Sequence, residues 1–324
     1  MNNLKKVGLT ALAGSMVAFS AQALDMSVSG TAKITYVDEG EGAPVDVTGN
    51  PYGFDQTVAF NGSGDTPLGT LSLMHVLNVN GGSASSSLIS IDMGDAGTIS
   101  LDGGVGNSGA GTIKDMMPRA AGAEQSWDDT DGDAYFINTP SQGAWGYDNS
   151  IMGFDVSIGY AKNGGGNSGD DANTDAGDDS AKSFAVKNSS LVEGVKFGFG
   201  MAETDSATSE TVINSATAYA TYAVGPATLG VQWTDIDNPR GTADAESMLY
   251  GIAININENA SISWNQRDVE IGTAGLQDQE DTGIAASYTM GNMTISAFNN
   301  QSENVAGTSG KDDEVTQVTM SFAF

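Results

Sequence analysis

Carboxylates are the groups in this chain best placed to do chemistry, and they are crowded. "DDTDGD" spans Asp128–Asp133, and "GDDANTDAGDDS" spans Gly169–Ser180. A hard divalent cation gathers roughly six to eight oxygen ligands. Asp129, Asp131 and Asp133 have the alternate spacing that opens an EF-hand loop, which makes them a candidate Ca²⁺ site. The register then fails, because Pro140 stands where such a loop needs its bidentate Glu. The plainer reading is a solvated acidic loop. Other chemistry is thinner. "GGVGNSGAG" (Gly103–Gly111) lacks the Gly-Lys-Ser/Thr ending of a phosphate loop. His75 is the single histidine, so a Ser–His–Asp hydrolase would have to be built on it. No nucleophile motif accompanies it. With no cysteine in the chain, thiolate nucleophiles and Cys-ligated metals are excluded.

What remains is charge. Asp and Glu number 41 against 12 Lys and Arg, a formal net charge of −29. That balance argues against a duplex nucleic-acid partner, whose phosphates need basic groups. One stretch, Gly103–Gln142, mixes both signs without regular pattern: Lys114, Asp115, Arg119 and Glu124 precede the first acidic run. A loop of that length inside a compact domain is functional, or the elements around it are misassigned.

The elements that must position these residues are strands. Residues 1–23 stand apart: a basic "MNNLKK", an apolar run Val7–Phe19 and "AQA" at Ala21–Ala23 make a cleavable secretory signal. The rest, 24–324, reads as one domain. Glycine, at 43 residues, is well above ordinary usage, and no later apolar run approaches the ~18–20 residues of a spanning helix. Period-two alternation recurs throughout. "MSVSGTAKITY" sets Met26, Val28, Ile34 and Tyr36 against Ser27, Ser29, Thr31 and Lys33. "FDVSIGY", "VKFGFGM", "ATLGVQWT" and "MLYGIAINI" repeat the pattern, and their charges fall on the polar face. On a lipid-facing surface a midplane Lys or Arg costs ~2–4 kcal/mol, so the alternation suits a membrane barrel. "LMHVLNV" is the untidy strand, and its pattern leaves the direction of His75 open.

Turn-like connections, "NGSGDTP" near Asn61–Pro67 the loosest of them, alternate with longer polar segments, giving sixteen strands, seven short turns and eight long loops. That alternation predicts an all-β, antiparallel up-and-down barrel with its long loops at one end. In hydrocarbon every backbone N–H and C=O must be paired, so a spanning sheet closes on itself. Closure requires a final strand, and the chain ends in "VTMSFAF", an alternating run finishing on Phe324. Trp145, Tyr147, Tyr160, Trp233, Trp264 and Tyr288 lie near strand ends on or beside the apolar set, and read as an interface girdle. Burial in a soluble core is the alternative.

The signal segment, "MSVSGTAKITYV", the hairpin "SLISIDMGDAGTISLDGG" before the longest loop, and the terminal "VTMSFAF" together resemble the Gram-negative general-diffusion porins. The resemblance implies a sixteen-stranded, transmembrane, typically trimeric barrel in the outer membrane. Its long third loop (103–142) would fold into the lumen and narrow it. Phe322 and Phe324 would carry the signal read by the barrel-assembly machinery. The loop residues Asp115, Arg119 and Glu124 would face wall cations among Lys33, Lys187, Lys196 and Arg267, with Asp55, Asp92, Asp102 and Asp155 as the wall's acids. A transverse field across a narrow gap orders water and favours polar solutes. The expected function is passive diffusion of ions and small hydrophilic solutes, with no required cofactor and a mild cation preference from the acidic balance. Any Ca²⁺ or Mg²⁺ on the acidic loops would bridge them to one another or to neighbouring lipopolysaccharide. Two rivals remain: an exported, acidic, Gly-rich β-sandwich or solenoid acting as a surface adhesin, and a barrel enzyme built on His75.

Overall fold

The computed structural model describes residues 25–40, 49–79, 83–103, 108–128, 130, 136–137, 142–162, 180–205, 212–237 and 244–324. They form a closed antiparallel barrel of sixteen strands, each paired with its neighbours in chain order and the last with the first. The strands are β1 (Asp25–Glu39), β2 (Tyr52–Thr66), β3 (Gly69–Asn78), β4 (Ser83–Asp92), β5 (Thr98–Gly103), β6 (Gln142–Ile151), β7 (Phe154–Lys162) and β8 (Ser180–Asn188). They continue with β9 (Val195–Asp205), β10 (Val212–Val224), β11 (Ala227–Asp237), β12 (Ala245–Asn255), β13 (Ala260–Ile271), β14 (Gln279–Met290), β15 (Met293–Glu303) and β16 (Asp313–Ala323). Closure abolishes the edges that a sandwich would leave, so the sandwich and solenoid alternatives fall away. No helix among the described residues is long and apolar enough to cross a membrane.

The register fixes which residues share a face. Ile34 stands between Phe54 and Met320, and Val28 opposite Phe60, all pointing outward. Lys33 stands between Asp55 and Ser321, all pointing inward. The outer set is apolar and exposed, Met26, Val28, Phe54, Ile89, Ile158, Leu229 and Ile284 among it. The terminal strand closes the cylinder. Phe324 exchanges both backbone hydrogen bonds with Gly30, at 2.8 and 3.0 Å. A Cβ at residue 30 would lie 2.6 Å or less from two Phe324 ring atoms, so the glycine makes the seat for the terminal ring.

The tight turns lie at one end. β10 and β11 are joined by Gly225–Pro226, with Gly225 at φ 56°. β6 and β7 are joined by Met152–Gly153, both at positive φ. These primed turns match the twist of their flanking strands. Three expectations change. "NGSGDTP" is not a turn: β2 runs on to Thr66 and the chain reverses at Pro67–Leu68, because both neighbours supply ladder partners as far as Ser63 and Thr66. The connection 79–82 has only four residues, within the two to six of the turns opposite, so the length alternation breaks between β3 and β4. Charges also occur on the outer face. Lys182 and Glu203 form an outward pair at 2.5 Å, and Asp235, Glu246, Glu270 and Glu280 also point outward. They gather at the long-loop rim, where side chains reach water. His75 is settled by its register: it stands between Phe60 and Ser87 on the outer face.

Candidate functional site

Inside the barrel, the chain after β5 turns inward. A short 3-10 turn at Gly109–Ile113 starts a segment that crosses the wall from β7 to β15, and the wall supplies its hydrogen bonds. Ser157 on β7 and Ser183 on β8 accept from the N–H groups of Gly109 and Ala110, at 2.8 and 3.2 Å. Gln232 on β11 accepts from Met116 and donates to the carbonyls of Ile113 and Lys114. Asn265 donates to the Pro118 carbonyl, and Ser263 and Ser261 accept from Ala120 and Ala121. Asn300 on β15 donates to the carbonyls of Gln125 and Asp128. An irregular buried segment has no ladder of its own, so its polar backbone must be paired elsewhere. The polar inner face does this.

Space and apolar contact complete the fit. A Cβ at Gly230 or Gly251 would fall 2.5 or 2.9 Å from the Pro118 ring, and one at Gly283 would fall 2.7 Å from the Ser126 backbone. Met117 and Trp127 pack on Leu249, and Ala120 and Ala123 pack on Phe298 and Val315. Leu249, Phe298 and Val315 are apolar residues at inward positions, so the hydrophobic core of this molecule lies between loop and wall.

The loop's charged rim faces what is left of the lumen. Lys33, Arg119 and Glu124 line one cavity of about 340 Å³, with Thr35, Ser296, Gln317, Thr319 and Ser321 as its other polar walls. Arg119 is half exposed; its Nη1 lies 3.7 Å from Glu124 and 3.9 Å from Asp128. Asp115 is turned back into the loop. It accepts hydrogen bonds from Gln125 at 2.9 Å and from the Trp127 indole at 3.3 Å. Desolvation, then the nearby Asp128, push its carboxyl from 3.8 to about 6, against those two hydrogen bonds and Arg119. The structure thus brings Lys33, Arg119 and Glu124 together and sets Asp115 behind them.

The remaining wall residues scatter. Asp155 and Lys187 are register partners on the inner face, in a cavity of about 660 Å³ at the short-turn end. Asp155 accepts a hydrogen bond from Ser150. Lys196 is inward and exposed one strand further on. Asp55 accepts from Asn78 at 3.2 Å, and Asp92 from the Gly94 N–H at 2.9 Å, where it fixes a turn. Two expectations are corrected. Asp102 faces inward but is buried at the long-loop end of β5. Arg267 also faces inward, yet it and Asp281 are wholly buried behind the loop, so it offers no charge to the lumen.

Phe322 and all six girdle aromatics face outward. Trp233 donates to Glu246 at the long-loop rim, and Tyr147 donates to the Ala96 carbonyl at the turns. Trp264 sits further in than a rim residue, between Ile252 and Ile284. Asp129, Asp131 and Asp133 lie outside the described residues, as do 163–179 with the second acidic run and the signal segment. Among the described residues no group of three His, Cys, Asp or Glu is arranged to hold a metal. Gln232, Asn265, Asn300, Asp281, Trp127 and Phe136 escaped sequence reasoning. The available signal was Leu249, an apolar residue on the polar side of its strand.

A closed barrel with an apolar exterior, a polar interior and a loop narrowing its lumen defines a membrane channel. Residues 8–324 match the sequence profile of the Gram-negative porins, and the chain belongs to that family. It is an integral outer-membrane β-barrel. Solved structures agree on the fold. A porin refined at 1.8 Å resolution is 15% identical with a TM-score of 0.64, covering 93% of this chain and 100% of its own. An anion-selective porin from Comamonas acidovorans is 15% identical with a TM-score of 0.65 over the same shares. A loop-L8 deletion mutant of OmpT, an outer membrane protein of Vibrio cholerae, is 10% identical with a TM-score of 0.66, again covering 93% and 100%. No match is found among curated protein sequences.

Proposed function

We propose that this porin passes ions and small hydrophilic solutes passively, with a weak preference for cations, through the gap between the 108–128 segment and the wall formed by β1–β4 and the Gln317–Ser321 part of β16. The carrying observation is the cavity lined by Lys33 of the wall and by Arg119 and Glu124 of the loop, which sets charges of both signs across a narrow gap. Such a gap favours polar solutes without any chemical step. The cation preference rests on the open inner surface, where Asp55, Asp92, Asp155, Glu124 and Asp128 outweigh Lys33, Lys187, Lys196 and a partly neutralised Arg119. The fold does not fix that sign, since one neighbour of the same fold is an anion-selective porin. Further parts of the reading are a homotrimer, lipopolysaccharide against the long-loop rim, and recognition of Phe322 and Phe324 by the assembly machinery.

Planar-bilayer recording of the folded protein under a salt gradient tests this reading. Discrete steps with a cation-signed reversal potential are expected. An anion-signed potential would overturn the selectivity and give control to the lysines and Arg119. Absence of steps from inserted, folded protein would overturn the channel.

A further inference from the structure

Arg267 and Asp281 are the most deeply buried charges near the constriction, and the surroundings of Arg267 are built on both sides. On the wall side, Asp281 Oδ2 accepts from Arg267 Nε at 2.7 Å and lies 2.7 Å from Nη2. Gln279 donates to both Asp281 oxygens, and Ser302 donates to Oδ1 at 2.6 Å. The carboxylate is thereby fixed by three residues from β13, β14 and β15. On the loop side, the guanidinium carbon lies 4.7 Å from the Phe136 ring centroid and 5.7 Å from that of Trp127. The two rings tilt against each other at 5.8 Å. Trp127 donates to Asp115, and Ser302 also reaches Thr130.

We propose that this pair is the seat of the constriction: Arg267 is a positioning residue that holds the outgoing and returning limbs of the loop, through Trp127 and Phe136, at a fixed height above the wall. The inference rests on the proposed passage of solutes past the 108–128 segment as the pore's narrowest part. A cation held over aromatic faces away from water keeps its attraction, and Asp281 fixes where that cation sits. Aliphatic contacts such as Met117 on Leu249 exclude water but are tolerant of sliding. The ion pair with its two rings specifies one position. Arg267 therefore acts on the pore's width without meeting a solute.

The test uses the whole barrel, with folding checked by heat-dependent gel mobility. Arg267→Met combined with Asp281→Leu removes the pair without stranding a buried charge, a replacement of the kind that is often neutral in protein cores. Unit conductance is expected to rise by about 1.5-fold or more, with added open-channel noise, because the narrowest section governs conduction. Trp127→Leu with Phe136→Leu removes the other half of the seat and leaves every strand intact. It should give the same phenotype, and all four changes together should add nothing further, as expected of residues acting as one unit. Arg267→Lys, which keeps the cation, should restore most of the wild-type noise level. Wild-type unit conductance and noise in both folded double variants would overturn the seat. A wild-type protein that does not conduct would instead overturn the channel reading beneath it.

Discussion

On β13 the inward residues Ser261, Ser263, Asn265, Arg267, Val269 and Ile271 are all buried, whereas on β1 Ser27, Ser29 and Lys33 face inward and are exposed. Both strands carry the same alternation. The difference is the loop, which is seated on β7–β15 and on Val315 of β16 and leaves β1–β4 open. One half of the wall is therefore an internal interface with the packing demands of a protein core, and the other half is a wetted surface. Polar side chains serve both, but in the first they complete the loop's backbone hydrogen bonds and in the second they face water. Equal-looking residues should respond very differently to substitution.

The largest expected effect is at the buried ion pair. Arg267→Ala alone leaves Asp281 charged and unpaired, which costs about 3–5 kcal/mol. Lys33→Ala, on the open half, should stay within about 0.5 kcal/mol of the parent. Urea unfolding of both variants in the same detergent measures the contrast, and equal losses would erase it. A smaller effect follows from space. Gly283→Val drives a side chain into the Ser126 backbone, with overpacking of roughly 1–3 kcal/mol, while Ser72→Val, inward on open β3, should be close to neutral. A narrowing of the gap between those two values would mean that the loop yields easily.

The smallest effect is a titration. The Asp115 carboxyl, raised from 3.8 to about 6 by desolvation and Asp128, binds its proton more tightly in the folded loop than in the unfolded chain. Stability from this group therefore rises as pH falls from about 6 toward 3.8, and is lost as pH rises through about 6. Protonation also removes a negative charge beside Arg119. The reversal potential should become less cation-signed as pH falls through about 6, and Asp115→Asn should abolish that step. An unchanged step in the Asn variant would assign the titration to another carboxylate.

The barrel was legible because alternation, turns and closure are local or follow from the bilayer. The pairing of "VTMSFAF" with β1 could be expected from the need to close. The seat was not legible. Arg267 and Lys33 are both cations on inward positions, and strand period cannot tell one that a loop will cover from one that stays wet. That distinction depends on where a segment without periodicity comes to rest. Leu249, Phe298 and Val315, out of place on a polar face, were its strand-level trace. "NGSGDTP" failed for a related reason, since turn-forming residues also occur in a strand whose neighbours hold it.

Accessibility of single cysteines tests the two-sided wall most directly, because the chain has none of its own. Thr35→Cys lines the cavity with Arg119 and Glu124, and Ser263→Cys lies under the loop, where Ser263 accepts from Ala120. A charged methanethiosulfonate reagent added to open channels should modify residue 35 quickly and step the conductance down, and should leave residue 263 unmodified. Rapid modification of residue 263 with a matching drop in conductance would contradict the seated loop and with it the division of the wall.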